Sequence, residues 1–316
     1  MSSDVTTDRA LGAILGSAVG DALGAPYEFQ PPLPSDDAVV MRAGGAFDWE
    51  LGEWTDDTSM AVPILRALAD GRDLSDDSTL DGFVATWAQW AVGAKDVGNQ
   101  IRAVLGSLEQ PTAVAARRAA QAVHAQIGRS GGNGSLMRTG PVALGYLSDA
   151  DEPDLAATAR TISDLTHFDP ETGDACVLWS LAIRRAILTG EIDVRPGTQH
   201  IAADRRETWL ARLDEAERMH PWDFPQNGWV VHALQAAWSA IAHADTYERR
   251  VVLAVRCGND TDTVAAIAGA LAGAAAGASA IPQDWRRELH GWAGDGEVAT
   301  GGHLEAWAER AIAQMR

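Results

Sequence analysis

The sequence predicts an all-α fold in a single domain over residues 1–316. Apolar residues recur at three- and four-residue spacing along most of the chain, which is typical of amphipathic helices. No segment shows a convincing alternation of apolar and polar residues, the pattern of a half-buried strand. A hydrophobic content of 46% is enough for a large core, and no change of composition divides the 316 residues.

The apolar spacing defines the elements in chain order. The predicted helices cover residues 9–25, 59–70, 80–92, 99–108, 113–127, 154–165, 171–188, 207–218, 228–243, 247–256, 263–280 and 303–315. Residues 30–53, which are rich in Pro, Gly and acidic side chains, are predicted to form a loop, as are residues 191–200 and 219–227. Long loops in compact domains are often functional.

Two of these helices carry glycines four residues apart. They are Gly12, Gly16, Gly20 and Gly24 in the first helix and Gly269, Gly273 and Gly277 in helix 263–280. Each glycine costs a helix about 1 kcal/mol relative to alanine, and close approach of two helix backbones is the compensating gain. We therefore expect these helices to pack centrally and on each other. Asp21 and Glu28 would then lie near Asp260 and Asp262.

The charge balance excludes some classes of partner. A net charge of −19 disfavours non-specific nucleic-acid binding and binding to anionic membranes, because both depend on Lys and Arg. Two cysteines, Cys176 and Cys257, cannot form a disulfide framework and indicate a reduced compartment. Residues 1–10 lack the basic and then apolar pattern of a signal peptide, so we expect a cytoplasmic protein.

One uncharged stretch, residues 263–281, is about as long as a membrane span. It consists mostly of Ala and Gly, whose insertion into a bilayer gains little, and Pro282 ends it. We predict a helix buried in the core of a soluble protein.

Two short runs of Thr and Asp lie about two hundred residues apart, at Thr55–Thr58 and Asp260–Thr263. Each run alone is typical of a helix cap, since Thr and Asp accept hydrogen bonds from the free amides of a first turn. Together they offer four carboxylates and several hydroxyls, the ligands that Mg²⁺ and Mn²⁺ prefer. An EF-hand is excluded because Val264 occupies the next ligand position and no Glu closes the loop.

A glycine-rich turn covers residues 128–138. It is not a phosphate-binding Walker sequence, since no Lys-Ser or Lys-Thr pair follows, and no strand precedes it as a dinucleotide fingerprint requires. Its amides can still form an anion-binding concavity, and a flexible surface turn is the alternative. Ser135 and Arg138 favour the anion-binding interpretation.

Several single residues allow both a structural and a functional interpretation. His167 precedes a predicted helix, where a structural histidine is common, and Asp96 resembles an ordinary acid at a helix start. Trp229 is by default a core aromatic, although an aromatic beside loops can also stack on a base. Glu28 becomes a candidate functional residue only through the helix packing proposed above, which places it near the acidic runs.

These segments, in this order, resemble the ADP-ribosylglycohydrolase family. The matching pieces are GSAVGDALG at residues 16–24 with Glu28, EWTDDT at 53–58, DVGNQ at 96–100, GNGSLMR at 132–138, TH at 166–167 and NDTDTVAAIAGA at 259–270. They span about residues 10–282, and the paired acidic runs are the most specific part. Asn259 stands where Gly is common in the family, and Trp229 where Tyr is common.

The resemblance implies a compact orthogonal bundle of helices with a site for two Mg²⁺ or Mn²⁺ ions. The positions that match metal ligands are Thr55, Asp56, Asp57, Asp260, Asp262 and Thr263. Glu28 matches the mobile acid near the metals, and Asp96 a position proposed to assist the chemistry. Those that match substrate contacts are Asn133, Gly134, Ser135 and Met137 around the diphosphate, His167 at the distal ribose, and Trp229 and Asp96.

The function that this resemblance implies is hydrolysis at the anomeric carbon of an ADP-ribosyl group. The partners are an ADP-ribosylated protein or small molecule and the ADP-ribose product, and we expect a monomer. Glu28, Asp57 and Asp96 are the candidate catalytic residues, with Glu28 the first choice as base and Asp96 the second. A two-metal phosphohydrolase and a non-catalytic ADP-ribose-binding module are the alternatives, and the linkage that is cleaved stays open.

Overall fold

The computed structural model describes residues 3–148, 150–294 and 296–314, which form α-helices joined by loops and 3₁₀ turns. The helices are α1 (Ser3–Gly24), α2 (Asp56–Ala69), α3 (Asp77–Ala91), α4 (Asn99–Gly106), α5 (Ala113–Ile127), α6 (Glu152–Ser163), α7 (Pro170–Thr189), α8 (Ala203–Arg218), α9 (Val230–Ala242), α10 (Tyr247–Val255), α11 (Thr261–Ala276), α12 (Gln283–Glu288) and α13 (Gly301–Gln314). The all-α prediction is confirmed.

One small sheet corrects the expectation that the chain has no strands. Strands β1 (His290–Trp292) and β2 (Val298–Thr300) pair antiparallel, with His290 opposite Thr300. Three residues are too few to display an alternating pattern, which is why the sequence does not reveal them. The short helix α12 was missed for the same reason.

Helix boundaries differ from the predicted ones where a local cap decides them. Helix α2 begins at Asp56 rather than residue 59, because Thr55 is extended and its hydroxyl accepts a hydrogen bond from the amide of Asp57. Helix α11 ends at Ala276 rather than residue 280, because Gly277 adopts a φ of 88°. The predicted end of the last helix at residue 315 lies outside the described residues.

Helices α1 and α11 run antiparallel in the centre of the molecule, in contact along their glycine stripes. A methyl group on Gly12 would overlap the carbonyl of Gly273, and one on Gly20 would overlap the carbonyl of Ala265. At the end of α1, a methyl group on Gly24 would stand 2.5 Å from Asp262 Cα. The predicted packing is confirmed, and it brings the end of α1 against the start of α11.

The buried core is one cluster of apolar side chains that extends from α1 to α13. Two of its large aromatics donate to helix carbonyls: Trp179 Nε1 donates to Ile267 O at 2.9 Å and Trp87 Nε1 to Met60 O at 3.0 Å. Within the described ranges, no helix combines the length and apolar content of a membrane span.

Candidate active site

The two acidic runs meet where α2 and α11 begin. Thr55 caps α2 and turns the chain so that Asp56 and Asp57 occupy the first helical turn. The hydroxyl of Thr263, in the first turn of α11, donates to Asp57 Oδ2 at 3.2 Å. Residues separated by more than two hundred positions thus share one hydrogen bond, and both helix starts point to the same place.

Two groups of carboxylates are close enough to hold metal ions. One consists of Asp21, Asp57 and Asp262, and the other of Glu28, Asp260 and Asp262; within each group the candidate ligand atoms lie within 4.8 Å of one another. Asp262 belongs to both groups, so two neighbouring cations would share it. Oxygen donors at this spacing fit Mg²⁺ or Mn²⁺.

Burial makes this cluster electrostatically costly. The exposed fractions of Asp57 and Asp262 are 1% and 2%, and Glu28 is also buried. Among the described residues, none of these three forms an ion pair with Lys, Arg or His. Glu28 Oε2 and Asp57 Oδ1 have no hydrogen-bond partner in the part of the chain that the structure describes, although a buried carboxylate oxygen normally has one. The fit to a cationic group is therefore good.

The pKa values of these carboxyl groups are raised by burial and by the neighbouring negative charges. Burial, followed by the charges of Asp260 and Asp96, raises the pKa of Glu28 to about 9. Burial and the charge of Asp21 hold the pKa of Asp57 well above its ordinary value. Without a cation, the site retains protons at neutral pH, and a bound cation would favour the ionised carboxylates.

Asp21 accepts hydrogen bonds from the first acidic run, Thr55–Thr58. Its Oδ1 accepts a hydrogen bond from the amide of Thr55 at 2.9 Å. Its Oδ2 accepts one from the amide of Thr58 at 3.0 Å and one from the hydroxyl of Thr58 at 2.6 Å. Burial raises the pKa of Asp21 to about 6 despite these bonds. The glycine spacing predicts its proximity to Asp262 but not this role.

A cleft of about 1240 Å³ opens over the carboxylates. The predicted site residues that line it are Glu28, Asp56, Asp96, Asn133, Gly134, Met137, His167, Trp229, Asp260, Asp262 and Thr263. Thr55, Asp57 and Ser135 do not line it and are buried.

Asn133 links the glycine-rich turn to the acidic cluster. Its side-chain Nδ2 donates to Asp260 Oδ2 and to the carbonyl of Asn227, both at 2.8 Å. Asn227, which the sequence did not single out, is buried; its Oδ1 accepts from the amide of Asp260 at 3.2 Å and its Nδ2 donates to Gly258 O at 2.8 Å. The only sequence signal for Asn227 is its place at the end of the proline-rich loop.

Arg138, one of the two arginines of the turn, does not line the cleft. Arg138 is fully buried and donates to Gly134 O at 3.0 Å and to Thr166 Oγ1 at 2.7 Å, so its guanidinium supports the turn from behind. The hydroxyl of Ser135 points inward and accepts from Ser163 Oγ at 2.9 Å. The amides of Gly134 and Ser135 donate to no backbone carbonyl among the described residues, and Gly134 lines the cleft, which leaves its amide as a donor for an anion.

His167 packs against the glycines of this turn. A methyl group on Gly134 would lie 3.1 Å from His167 Cε1, a tight contact that would require the ring to shift. Burial, followed by the charge of Arg138, holds the pKa of His167 well below its usual value, and the ring is neutral. Its Nδ1 lies 2.7 Å from Thr166 Oγ1.

Polar and aromatic side chains from α7, α8 and the start of α9 complete the cleft. Trp229 Nε1 donates to Glu171 Oε2 at 3.1 Å. Arg205 is held by the buried carboxylate of Asp174, with Nη2 at 3.0 Å from Asp174 Oδ1, and Arg129 follows the end of α5. The sequence gives no signal for Arg205 or Arg129, because isolated arginines on polar helices and loops are common.

Comparisons with known proteins find relatives along almost the whole chain. The ADP-ribosylglycohydrolase family model matches residues 2–316. The chain is 32% identical over 293 residues to the ADP-ribosyl-[dinitrogen reductase] glycohydrolase of Rhodospirillum rubrum, covering 89% of this chain and 90% of that protein. It is 30% identical over 299 residues to the ADP-ribosylarginine hydrolase Tri1 of Pseudomonas putida, covering 88% of this chain and 73% of that protein.

A solved structure shares the fold along the whole chain. It is described as an ADP-ribosylglycohydrolase-related protein complex, and it superposes with a TM-score of 0.74 at 29% identity. The match covers 99% of this chain and 100% of that one.

Proposed function

Because the chain belongs to the ADP-ribosylglycohydrolase family and is therefore a hydrolase, we propose that it cleaves the bond at the anomeric carbon of an ADP-ribosyl group with two divalent cations in its carboxylate cluster. The observation that carries the proposal is the set of buried carboxylates without a cationic partner among the described residues, two of which have an orphaned oxygen.

The cations would be held by the two helix starts. The ligands are Thr55, Asp56 and Asp57 from α2 and Asp260, Asp262 and Thr263 from α11. Bound there, Mg²⁺ or Mn²⁺ supplies Lewis-acid stabilisation and lowers the pKa of a water molecule. Through the hydrogen bonds described above, Asp21 holds the backbone of Thr55 at the start of α2, and Asn133 holds the carboxylate of Asp260.

The remaining groups of the cleft suit the rest of an ADP-ribosyl ligand. The amide of Gly134, which lines the cleft and donates to no backbone carbonyl among the described residues, binds the diphosphate, so that an acidic protein holds an anion without a lysine. Met137 and the neutral ring of His167 line the same wall and contact the adjoining ribose. Trp229 offers an aromatic face to the distal part of the ligand.

Two carboxyl groups are placed to move protons. Glu28 lines the cleft, and its Oε2 has no hydrogen-bond partner among the described residues, so it accepts the proton of the attacking water once the carboxylate is ionised. Asp96 lies in the same cleft, and burial together with the charge of Asp260 raises its pKa, which suits an acid for the leaving group. The bond that breaks is the one from the anomeric carbon to the acceptor.

ADP-ribosylated arginine in a protein is the first substrate to test, since the relative from Pseudomonas putida is an ADP-ribosylarginine hydrolase. A panel of arginine-, serine- and acetyl-linked ADP-ribose with Mg²⁺, Mn²⁺ or excess EDTA tests the proposal. We expect release of intact ADP-ribose that depends on the cation. Release of AMP or free phosphate would favour the rival phosphohydrolase, and cation-independent binding without turnover would favour a binding module.

A further inference from the structure

Phe29 lines the cleft beside Glu28 in a backbone conformation that a bulky residue disfavours. Its φ is 63°, in the left-handed region, and its side chain is 63% exposed. The amide of Phe29 donates to Asn259 O at 2.6 Å, and the amide of Asn259 donates back to Gln30 O at 2.7 Å, which fixes this conformation next to α11. An exposed ring recovers little by packing, so the strain points to a function of the ring at this position.

Phe29 belongs to an aromatic patch made of Phe29, Phe47 and Trp49. The ring centroids of Phe29 and Phe47 lie 5.9 Å apart, as do those of Phe47 and Trp49, both edge to face. Trp49 is buried and paired with Gly44 by two backbone hydrogen bonds of 2.8 and 2.9 Å, and Lys95 Nζ lies 5.0 Å from its ring centroid. The patch is therefore anchored at its base and accessible at Phe29.

The loop that carries most of the patch is strongly acidic. Residues 30–53 contain five Asp and Glu and one Arg. Glu53 forms an ion pair with Lys95 at 2.6 Å, and Glu50 Oε2 lies 3.2 Å from His290 Nε2. Asp36, Asp37 and Asp48 are exposed and have no ion-pair partner among the described residues. Their field favours a cationic partner.

From this arrangement we infer that the aromatic patch and the acidic loop form the docking surface for a basic polypeptide segment that carries the ADP-ribosylated side chain. The inference rests on the proposed function: with the diphosphate on the glycine-rich turn and the anomeric carbon over the carboxylates, the acceptor leaves past Glu28 and Phe29. Phe29 and Phe47 then contact the acceptor backbone, and Asp36, Asp37 and Asp48 select flanking Lys or Arg.

The test compares three substrates that share one modified group. They are an ADP-ribosylated peptide flanked by lysines, the same peptide flanked by glutamates, and a small ADP-ribosylated guanidine. We expect a kcat/KM about tenfold higher for the lysine-flanked peptide than for the glutamate-flanked one, with the difference reduced at high salt. In Asp48→Asn, which tolerates the left-handed φ of this position, the preference should shrink.

Phe47→Ala should raise KM for the lysine-flanked peptide by about tenfold and leave hydrolysis of the small guanidine unchanged. Phe29→Gly removes the ring and should therefore also lose the peptide preference. Because the substitution removes the backbone strain as well, the Tm should not fall. Trp222→Ala, a half-exposed aromatic that stacks on His220 away from the cleft, is the matched control and should change neither substrate.

Each outcome decides between the two proposals. Equal kcat/KM for both peptides, while the small guanidine is hydrolysed, would overturn the docking surface alone, as would a Phe47→Ala effect of the same size on the small guanidine. Failure of the wild-type protein to release ADP-ribose from all three, and from the serine- and acetyl-linked substrates as well, would overturn the proposed function and the docking surface with it.

Discussion

Asp21 belongs to one of the two carboxylate groups and also holds the first acidic run in place through three hydrogen bonds, so its replacement by asparagine should weaken metal binding. The carboxylate accepts from the amide of Thr55 and from the amide and hydroxyl of Thr58. Asparagine keeps one acceptor oxygen and turns an NH₂ group towards at least one of these donors. The start of α2, with Asp56 and Asp57, must then shift.

The size of the effect follows from these bonds. A buried donor left without an acceptor costs about 1–3 kcal/mol, and Asp21→Asn leaves at least one of the three in that state. Changes to the partners that orient metal ligands typically cost about 10- to 100-fold in metal affinity. We therefore expect the Mn²⁺ dissociation constant of Asp21→Asn to rise by about 10- to 100-fold, and the Tm of the Mg²⁺-bound protein to fall.

Free Mn²⁺, measured by electron paramagnetic resonance during a titration, checks this directly. Thr58→Val removes the hydroxyl donor without changing the charge, whereas Thr58→Ser retains it and is the matched control. Weaker binding in Asp21→Asn and a smaller loss in Thr58→Val would support positioning by hydrogen bonds. Wild-type Mn²⁺ affinity in both variants would refute the reasoning, and a loss in Asp21→Asn alone would assign the effect to charge.

Three further predictions follow from the carboxylates, the glycine stripe and the turn. In metal-free protein the pKa of Glu28 rises from 4.5 to about 9 on folding. Its protonated form therefore contributes stability below pH 4.5 that is lost as the pH rises towards 9. Calorimetry should show a Tm that falls over this window and is restored by Mg²⁺. Gly20→Ala should lower the free energy of unfolding by about 1–3 kcal/mol, because its methyl group meets the carbonyl of Ala265, whereas Gly93→Ala, which faces open space, should have little effect in the same urea titration. Asn133→Ala should weaken Mn²⁺ binding and lower kcat/KM by about tenfold, since it loses the bond to Asp260; unchanged values of both would contradict the link between turn and metal site.

Much of the fold can be predicted from the sequence because its determinants are local. Apolar spacing predicts the long helices, and the glycine stripes predict the contact of α1 with α11, since a missing side chain is itself the condition for close approach. The sheet of β1 and β2 escapes prediction because strands of three residues carry no periodic signal. Helix ends such as that of α11 depend on one residue, Gly277, in the left-handed region.

The candidate site is predictable in its residue types and not in its geometry. The paired Thr and Asp runs predict a cation site, and the structure brings them within one hydrogen bond of each other. The roles of Arg138 and Asn227 depend on contacts between distant segments, so spacing along the chain could not assign them. Arg138 is a case where the sequence favours an anion contact and the structure has a buried support of the turn instead.

The most direct test of the two-cation proposal is the stoichiometry of metal binding joined to turnover. Metal-stripped protein, titrated with Mn²⁺ in a calorimeter, should bind two ions per chain, and release of ADP-ribose should return with them. Asp57→Ala and Asp260→Ala should lose both properties while circular dichroism stays helical. Full release of ADP-ribose in excess EDTA, or wild-type Mn²⁺ binding in both variants, would contradict the account.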